Sequence, residues 1–351
     1  MRFLRPFLLA LLALAVAATA APAQAPTIPM PGGGQIKVKL PPAKAPKAKG
    51  KAKGKAKKPK KPKVSLNSIQ LGIADEKSEM FTDPLFTALG LKIARRSVSW
   101  DTFEYDWQVA ELEDWMTKAR AARVRPLISF NRSRVGAKRH VIPTRAQWLN
   151  GFRLFRARYP WVTDFVASNE SNHTPPGFKF PKLAAQYYLD MKKACRHCKI
   201  AAATINERPE KKFLEGWIKR FIKAAGHRPK YWALHNYYGA NTFSLKGTNR
   251  FLKATKSGEV WITESGGLVK RRTGNFPGKL KMKEGTAHAV RAWRFIFDKM
   301  LTASPRIKRA YLFHWNATGT ADTWDSGLVG ADGKPRGGLT ILQKLLEKTR
   351  R

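Results

Sequence analysis

"EGTAHAVRAWRFIFDKMLTASPRIKRAYLFHW", residues 284–315, changes its hydrophobic period partway along. In Glu284–Met300 the apolar residues Trp293, Ile296, Phe297 and Met300 recur at helical spacing and share one face. Past Pro305, Arg309–Trp315 is a short run rich in aromatic and β-forming residues, as a strand would be. The stretch therefore predicts a helix that feeds a strand. Working back along the chain, further β-rich runs occur at Ser68–Ala74, Lys92–Ser99, Arg125–Phe130, Val162–Ser168, Lys199–Ile205, Lys230–Asn236 and Glu259–Thr263. Amphipathic helical patterns fall between most of them. Thr144 and Gly338 stand at helix starts, and Gly226 stands just past a helix end.

Strand–helix alternation implies parallel strands, because each crossover lays a helix on a sheet face. Eight such units within residues 64–351 predict an α/β fold of the (β/α)8 TIM-barrel type, which typically needs about 250 residues. A doubly wound open sheet is the competing architecture. No G-x-G-x-x-G follows the first strand and no P-loop is present, which weighs against it.

The N-terminal 63 residues have a different texture. Arg2 and Arg5 precede an apolar run from Phe7 to Ala18, and Ala23-Gln24-Ala25 supplies an A-x-A cleavage site. Residues 1–25 read as a secretory signal peptide, since the run is shorter than the roughly 20 residues a membrane span needs. The sequence thus predicts a secreted protein with no membrane span after cleavage. Residues 26–63 are rich in Pro, Gly, Ala and Lys and predict a disordered, self-repelling linker. That linker is expected to adhere to an anionic cell-surface polymer. The chain carries a net charge of +43; the first 63 residues hold 15 basic and no acidic residues, so the rest is still at +28. Charge alone would suit a nucleic-acid binder, but no reader motif accompanies it. Cys195 and Cys198 are the two cysteines, spaced as C-R-H-C. The export signal favours a local disulfide between them, with free thiols as the alternative. A zinc site is poorly supported without a second ligand pair, and no cofactor or metal is expected.

In a barrel the chemistry lies where the strands end. The eight runs end on Asp75, Trp100-Asp101, Asn131, Asn169-Glu170, Asn206-Glu207, His235-Asn236-Tyr237-Tyr238, Thr263-Glu264-Ser265-Gly266 and His314-Trp315-Asn316, with Arg95 and Arg96 inside the second. Loops need Gly, Pro, Ser and Asn; they do not need two Glu, a strand Arg and a Trp at one rim. Two carboxylates facing each other across such a mouth are what glycosidic-bond hydrolysis requires, one as acid and one as base or nucleophile.

These strand ends resemble clan A glycoside hydrolases, the (β/α)8 retaining glycosidases. In that clan the acid/base Glu follows Asn at the end of strand four and the nucleophile Glu lies within T-E-x-G on strand seven. Asn169-Glu170 and Thr263-Glu264-Ser265-Gly266 match, as does the H-x-Y of strand six in His235-Asn236-Tyr237. Ser168 and Ser171 depart from the Trp and Pro common around that acid, so no single family of the clan is indicated. The resemblance implies a retaining double displacement on a carbohydrate substrate, with Glu170 as acid/base and Glu264 as nucleophile. It further implies that a strand-two Arg, best matched by Arg95 but with its neighbour Arg96 the open alternative since the two face opposite sides, and Tyr237 hold Glu264 ionised, that Glu170 has the higher pKa of the pair, that Asn169 contacts the sugar 2-hydroxyl, and that Trp315 is a flat platform for the ring. His235 would serve chiefly as a structural hydrogen-bonder at the substrate site. Glu207 rivals Glu170 because "INERPE" repeats the Asn-Glu pair, but its strand is the fifth, and a place at the following helix's N-terminus explains it. Sequons at Asn131, Asn169, Asn172 and Asn316 read as chance products of Asn-rich strand ends. A basic barrel that binds an anionic glycan or cell wall without cleaving it is the alternative function.

Overall fold

A computed structural model describes residues 64–173, 180–207, 211–271, 282–319 and 323–350. The expected signal peptide and linker, and Asp322, lie outside them. Eight strands form a closed barrel in chain order. They are β1 (Gln70–Ala74), β2 (Ile93–Ser99), β3 (Arg125–Asn131), β4 (Asp164–Val166), β5 (Lys199–Asn206), β6 (Tyr231–His235), β7 (Glu259–Ser265) and β8 (Ile307–Phe313). Every neighbouring pair is parallel, and β8 closes on β1 in register from Gln70↔Arg309 to Ala74↔Phe313. The expected (β/α)8 barrel is therefore present and the open sheet is excluded.

The helices among the described residues are α1 (Pro84–Leu89), α2 (Asp106–Ala121), α3 (Arg145–Arg158), α4 (Pro181–Ala194), α5 (Lys211–Ala225), α6 (Tyr237–Asn241), α7 (Lys246–Thr255), α8 (Thr286–Phe295) and α9 (Gly337–Arg350). Their ends follow local chemistry. Thr144 caps α3 in a reciprocal capping box with Gln147. Gly226, just beyond α5, takes φ +74°, a left-handed turn that favours glycine. After α8 the chain widens into a π-helical turn, Ile296–Met300, and Trp293, Ile296, Phe297 and Met300 are all buried. No described helix is long and apolar enough to cross a membrane.

The core has two layers. Residues facing into the barrel form one cluster, including Ala74, Ile93, Leu127, Val166, Ala201, Ala233, Trp261 and Tyr311. The opposite strand faces pack under the helices in the larger cluster, which holds Trp115, Trp217, Trp232 and Trp293. Side-chain alternation along β2 puts Arg95 two residues after the inward Ile93, and Arg96 on the outside. Arg96 turns toward the Glu76 carbonyl and Glu111, whereas Arg95 is fully buried in the barrel.

On β7 the same count fails. Trp261 points inward, so simple alternation would send Glu264 outward. The register with β6 shifts by one, from Leu234↔Ile262 to His235↔Glu264. Thr263 is the extra residue, and the bulge turns Glu264 into the mouth.

Candidate active site

Three side chains from three elements meet at the mouth. His235, at the end of β6, is fully buried and its Nδ1 lies 2.9 Å from Glu170 Oε1 and 3.4 Å from Glu264 Oε2. The ligand atoms of these three residues all lie within 4.8 Å of one another. The Glu170 and Glu264 side chains remain 21% and 12% exposed, enough to meet a molecule in the mouth.

Glu264 is held from two sides. Arg95 Nη1 sits 2.6 Å from Oε1, and the Tyr237 hydroxyl donates to Oε2 at 3.0 Å. A buried guanidinium beside a carboxylate favours its charged form. The Tyr237 hydroxyl is raised well above its ordinary range by burial and by Glu264, so it stays a donor.

Glu170 follows β4 through a tight loop in which it takes φ +42°. A non-glycine residue in that region costs about 1–3 kcal/mol. The turn is held around it. The Ser168 and Ser171 hydroxyls hydrogen-bond to each other, and Ser171 N donates to Thr204 O at 3.1 Å. The two departures from the clan pattern thus form one internal contact that closes the loop. Asn206 Nδ2 donates to Glu170 Oε1 at 2.9 Å, and Asn206 is itself fixed by Asn172, whose side chain pairs with the Asn206 backbone at 2.6 and 2.8 Å.

Burial works against ionisation of Glu170. The hydrogen bond and charge of His235, then His173 and the Asn206 amide, outweigh it and hold the carboxyl at about 2. Glu170 is thus lowered in the free site, where a proton donor calls for a raised acid. The cause is the imidazole wedged between the two carboxylates.

Asn169 Oδ1 accepts from Arg95 Nη2 at 2.8 Å. Its Nδ2 has no hydrogen-bond partner among the described residues and is free to donate into the mouth.

Trp315 is a correction. Strand β8 ends at Phe313, two residues earlier than expected, and alternation stops there. Trp315 is 1% exposed, its Nε1 donates to Asp83 Oδ2 at 2.7 Å, and its ring packs edge-on against Phe86. No open face is left for a sugar. The half-buried rings around Tyr237 are instead Phe313, with centroids 6.2 Å apart, and Trp324, at 4.8 Å. Trp324 lies beyond the eighth strand, and its place beside Tyr237 was not foreseen from the sequence.

Glu207 does not reach the mouth. It is 2% exposed, and Oε2 accepts from Gly239 N at 3.0 Å. It fills the junction of α6 and α7, not the start of α5 as the sequence suggested. Glu207 does accept at helix N-termini, but at those of α6 and α7. Asn206, its neighbour, is the member of the "INERPE" pair that reaches Glu170. Asn172 is fully buried, so its sequon offers no room for a glycan. Cys195 and Cys198 are joined as a disulfide with Cα atoms 5.4 Å apart, between α4 and β5 on the barrel face away from the mouth.

Comparison with known proteins finds one family model and a set of solved structures of similar fold. Residues 147–275 match the family model described as the glycosyl hydrolase catalytic core, a span that contains Asn169, Glu170, His235, Tyr237 and Glu264. No curated protein matches the sequence. Among solved structures, the chain is similar to a family 39 glycoside hydrolase from the gut symbiont Bacteroides cellulosilyticus, at 14% identity and a TM-score of 0.53 over 81% of this chain and 65% of that one. It thus spans just under two thirds of that protein's length. It is also similar to a glucosidase from Croceicoccus marinus, at 13% identity and a TM-score of 0.57 over 80% and 67% of the two chains. A fungal β-1,4-galactanase matches at 12% identity and a TM-score of 0.56, over 78% of this chain and 98% of its own. At these identities the likeness is one of fold.

Proposed function

We propose that this chain, which has the (β/α)8 fold of the clan A glycosidases, is an exported glycoside hydrolase that cleaves O-glycosidic bonds with retention of configuration. One observation carries the reading. Carboxylate oxygens of Glu170 and Glu264 lie within 4.8 Å of each other, while the side chains come from strand ends on opposite sides of the mouth. Retaining enzymes need about 5–5.5 Å between the two groups; inverting ones need more room, for a water.

In the first step Glu264 attacks the anomeric carbon. The bond to the leaving oxygen breaks, and Glu170 delivers a proton to that oxygen. In the second step Glu170 takes a proton from water, the water oxygen attacks the anomeric carbon, and the ester bond to Glu264 breaks. Arg95 and Tyr237 stabilise the Glu264 carboxylate before attack and after release. The Asn169 amide is placed to donate to the sugar 2-hydroxyl, and Phe313 and Trp324 offer the ring an apolar wall.

The ionised resting state of Glu170 favours the second reading, a barrel that binds a glycan and does not cleave it. The position of His235 answers it. His235 lies between the two carboxylates, 2.9 Å from Glu170 Oε1 and 3.4 Å from Glu264 Oε2, so a sugar entering there changes the contact that holds Glu170 ionised. A panel of polysaccharides incubated with wild type, Glu170→Gln and Glu264→Ala tests the assignment. Wild-type turnover with loss in both variants supports hydrolysis. Full turnover by Glu264→Ala removes Glu264 from the nucleophile role, and binding without turnover by wild type favours the second reading.

A further inference from the structure

The loop between β3 and α3 is basic throughout. Arg132, Arg134, Lys138 and Arg139 lie in it and no acid does. Two of these cations are neutralised, Arg134 by Glu111 at 2.5 Å and Lys138 by Glu104 at 2.6 Å. The guanidinium groups of Arg132 and Arg139 have no hydrogen bond or ion pair among the described residues. They lie close enough to repel. Burial and then Arg139 push the Arg132 guanidinium down from its ordinary value, and Glu170 opposes them.

Arg132 also lines a pocket, together with Asn131, Asn169, Val141, Ile142 and Tyr187. The pocket is a cleft open to solvent on one side. Neither carboxylate lines it, but both chain neighbours of Glu170, Asn169 and Ser171, do, no neighbour of Glu264 does, and Arg132 at its wall lies within electrostatic reach of Glu170. The proton donor stands on the leaving-group side of the bond it cleaves. A pocket that adjoins the donor and not the nucleophile is therefore where the departing part of the substrate sits. Its walls have two characters. Val141, Ile142 and Tyr187 suit the C–H face of a sugar ring, and the Asn131 amide suits a hydroxyl group. Neither accounts for an unpaired guanidinium held at the wall beside a second one. A planar guanidinium with free N–H groups is complementary to a carboxylate or sulfate, which it can pair bidentately.

We propose that this pocket is the leaving-group subsite and that it selects a sugar bearing an anionic group, paired by Arg132 and supported by Arg139. The substrate class is accordingly an acidic glycan. This rests on the hydrolase reading above only for the direction of cleavage.

The test uses oligosaccharides of one linkage, taken from the polysaccharide panel, in neutral, uronate and sulfated forms. Turnover and binding are both measured for the full chain and for Arg132→Ala and Arg132→Lys. Arg132 is exposed as a residue and belongs to neither core cluster, so neither change threatens the fold even though the pocket wall partly covers its guanidinium. The expected result is that wild type prefers one acidic form over the neutral one. In Arg132→Ala the acidic-to-neutral ratio of kcat/KM should fall about tenfold or more, chiefly through KM. Arg132→Lys should recover part of that ratio. Which acidic form is preferred separates uronate from sulfate. An equal effect of Arg132→Ala on acidic and neutral forms, or a wild-type preference for the neutral form, overturns the proposal. If no form is cleaved, titration calorimetry decides. Binding of the acidic form that weakens about tenfold in Arg132→Ala upholds the pocket while the hydrolase reading fails. Absent or unchanged binding overturns the pocket as well.

Discussion

Asn206 and Glu207 are neighbours with unlike fates. Asn206 donates to Glu170 at the mouth, and Glu207 is sealed behind it. Replacing Asn206 with Ala should lower kcat by about 10- to 100-fold and leave folding intact, since one hydrogen bond to a working carboxylate is lost. Steady-state kinetics beside thermal melts would separate the two effects. Glu170 makes a second prediction at this scale. Its folded carboxyl is held at about 2, below the ordinary carboxylate range, so its ionised form stabilises the fold above that range. That contribution is lost as pH falls from about 5 toward about 2. Over this interval the melting temperature of wild type should drop further than that of Glu170→Gln. Equal drops would mean that His235 does not hold the carboxyl down. The Asn169-Glu170 and Glu264 pair was legible because strand order alone placed both at the mouth. Asn172 was not, because its contact with Asn206 spans two strand ends.

At the scale of the element, the α6–α7 junction is built around one buried acid. A Cβ on Gly247 would stand 1.9 Å from Glu207 Oε1, and one on Gly239 would stand 2.7 Å from Oε2. Gly→Ala inside a helix ordinarily stabilises by about 0.5–1 kcal/mol. Here Gly247→Ala should destabilise by about 1–3 kcal/mol, since a packed side chain must move. Glu207→Ala should relieve part of that loss in the double variant, as denaturant titration of the four proteins would read. Burial raises the Glu207 carboxyl to about 8, against the Gly239 and Thr248 backbone donors. A raised acid keeps its proton in the fold after the unfolded chain has lost it. Stability should therefore fall by about 1.4 kcal/mol per unit as pH rises between the ordinary carboxylate range and about 8. Glu207→Gln should flatten that slope. Two other elements explain where sequence reading stopped. The strand-eight pattern ran to Trp315, but β8 ends at Phe313 and the side-chain alternation ends with it. On β7 a bulge at Thr263 reversed the alternation and brought Glu264 inward. A period-two pattern carries neither a strand's last residue nor an inserted one, because both are set by pairing with the neighbouring strand.

The whole molecule combines a closed barrel with an excess of positive charge. The barrel was legible because eight short β-rich runs alternate with helical ones, and each local pattern agrees with the global fold. The charge was legible in amount, and the structure adds its local arrangement at Arg132 and Arg139. We propose that the lysine-rich residues 26–63 hold the enzyme at an anionic cell-surface polymer. Deleting them should weaken adsorption to such a polymer at low salt and leave turnover of a soluble oligosaccharide within about twofold. Raised salt should reduce the difference in adsorption, since exposed charges are screened beyond about 10 Å at 0.1 M. Above these details stands the claim that Glu170 and Glu264 work one sugar by double displacement. The most direct test is the configuration of the first sugar released from a cleaved glycan, followed by proton NMR before mutarotation. The geometry predicts that the anomer released keeps the configuration of the bond that was cut. Release of the opposite anomer would contradict it.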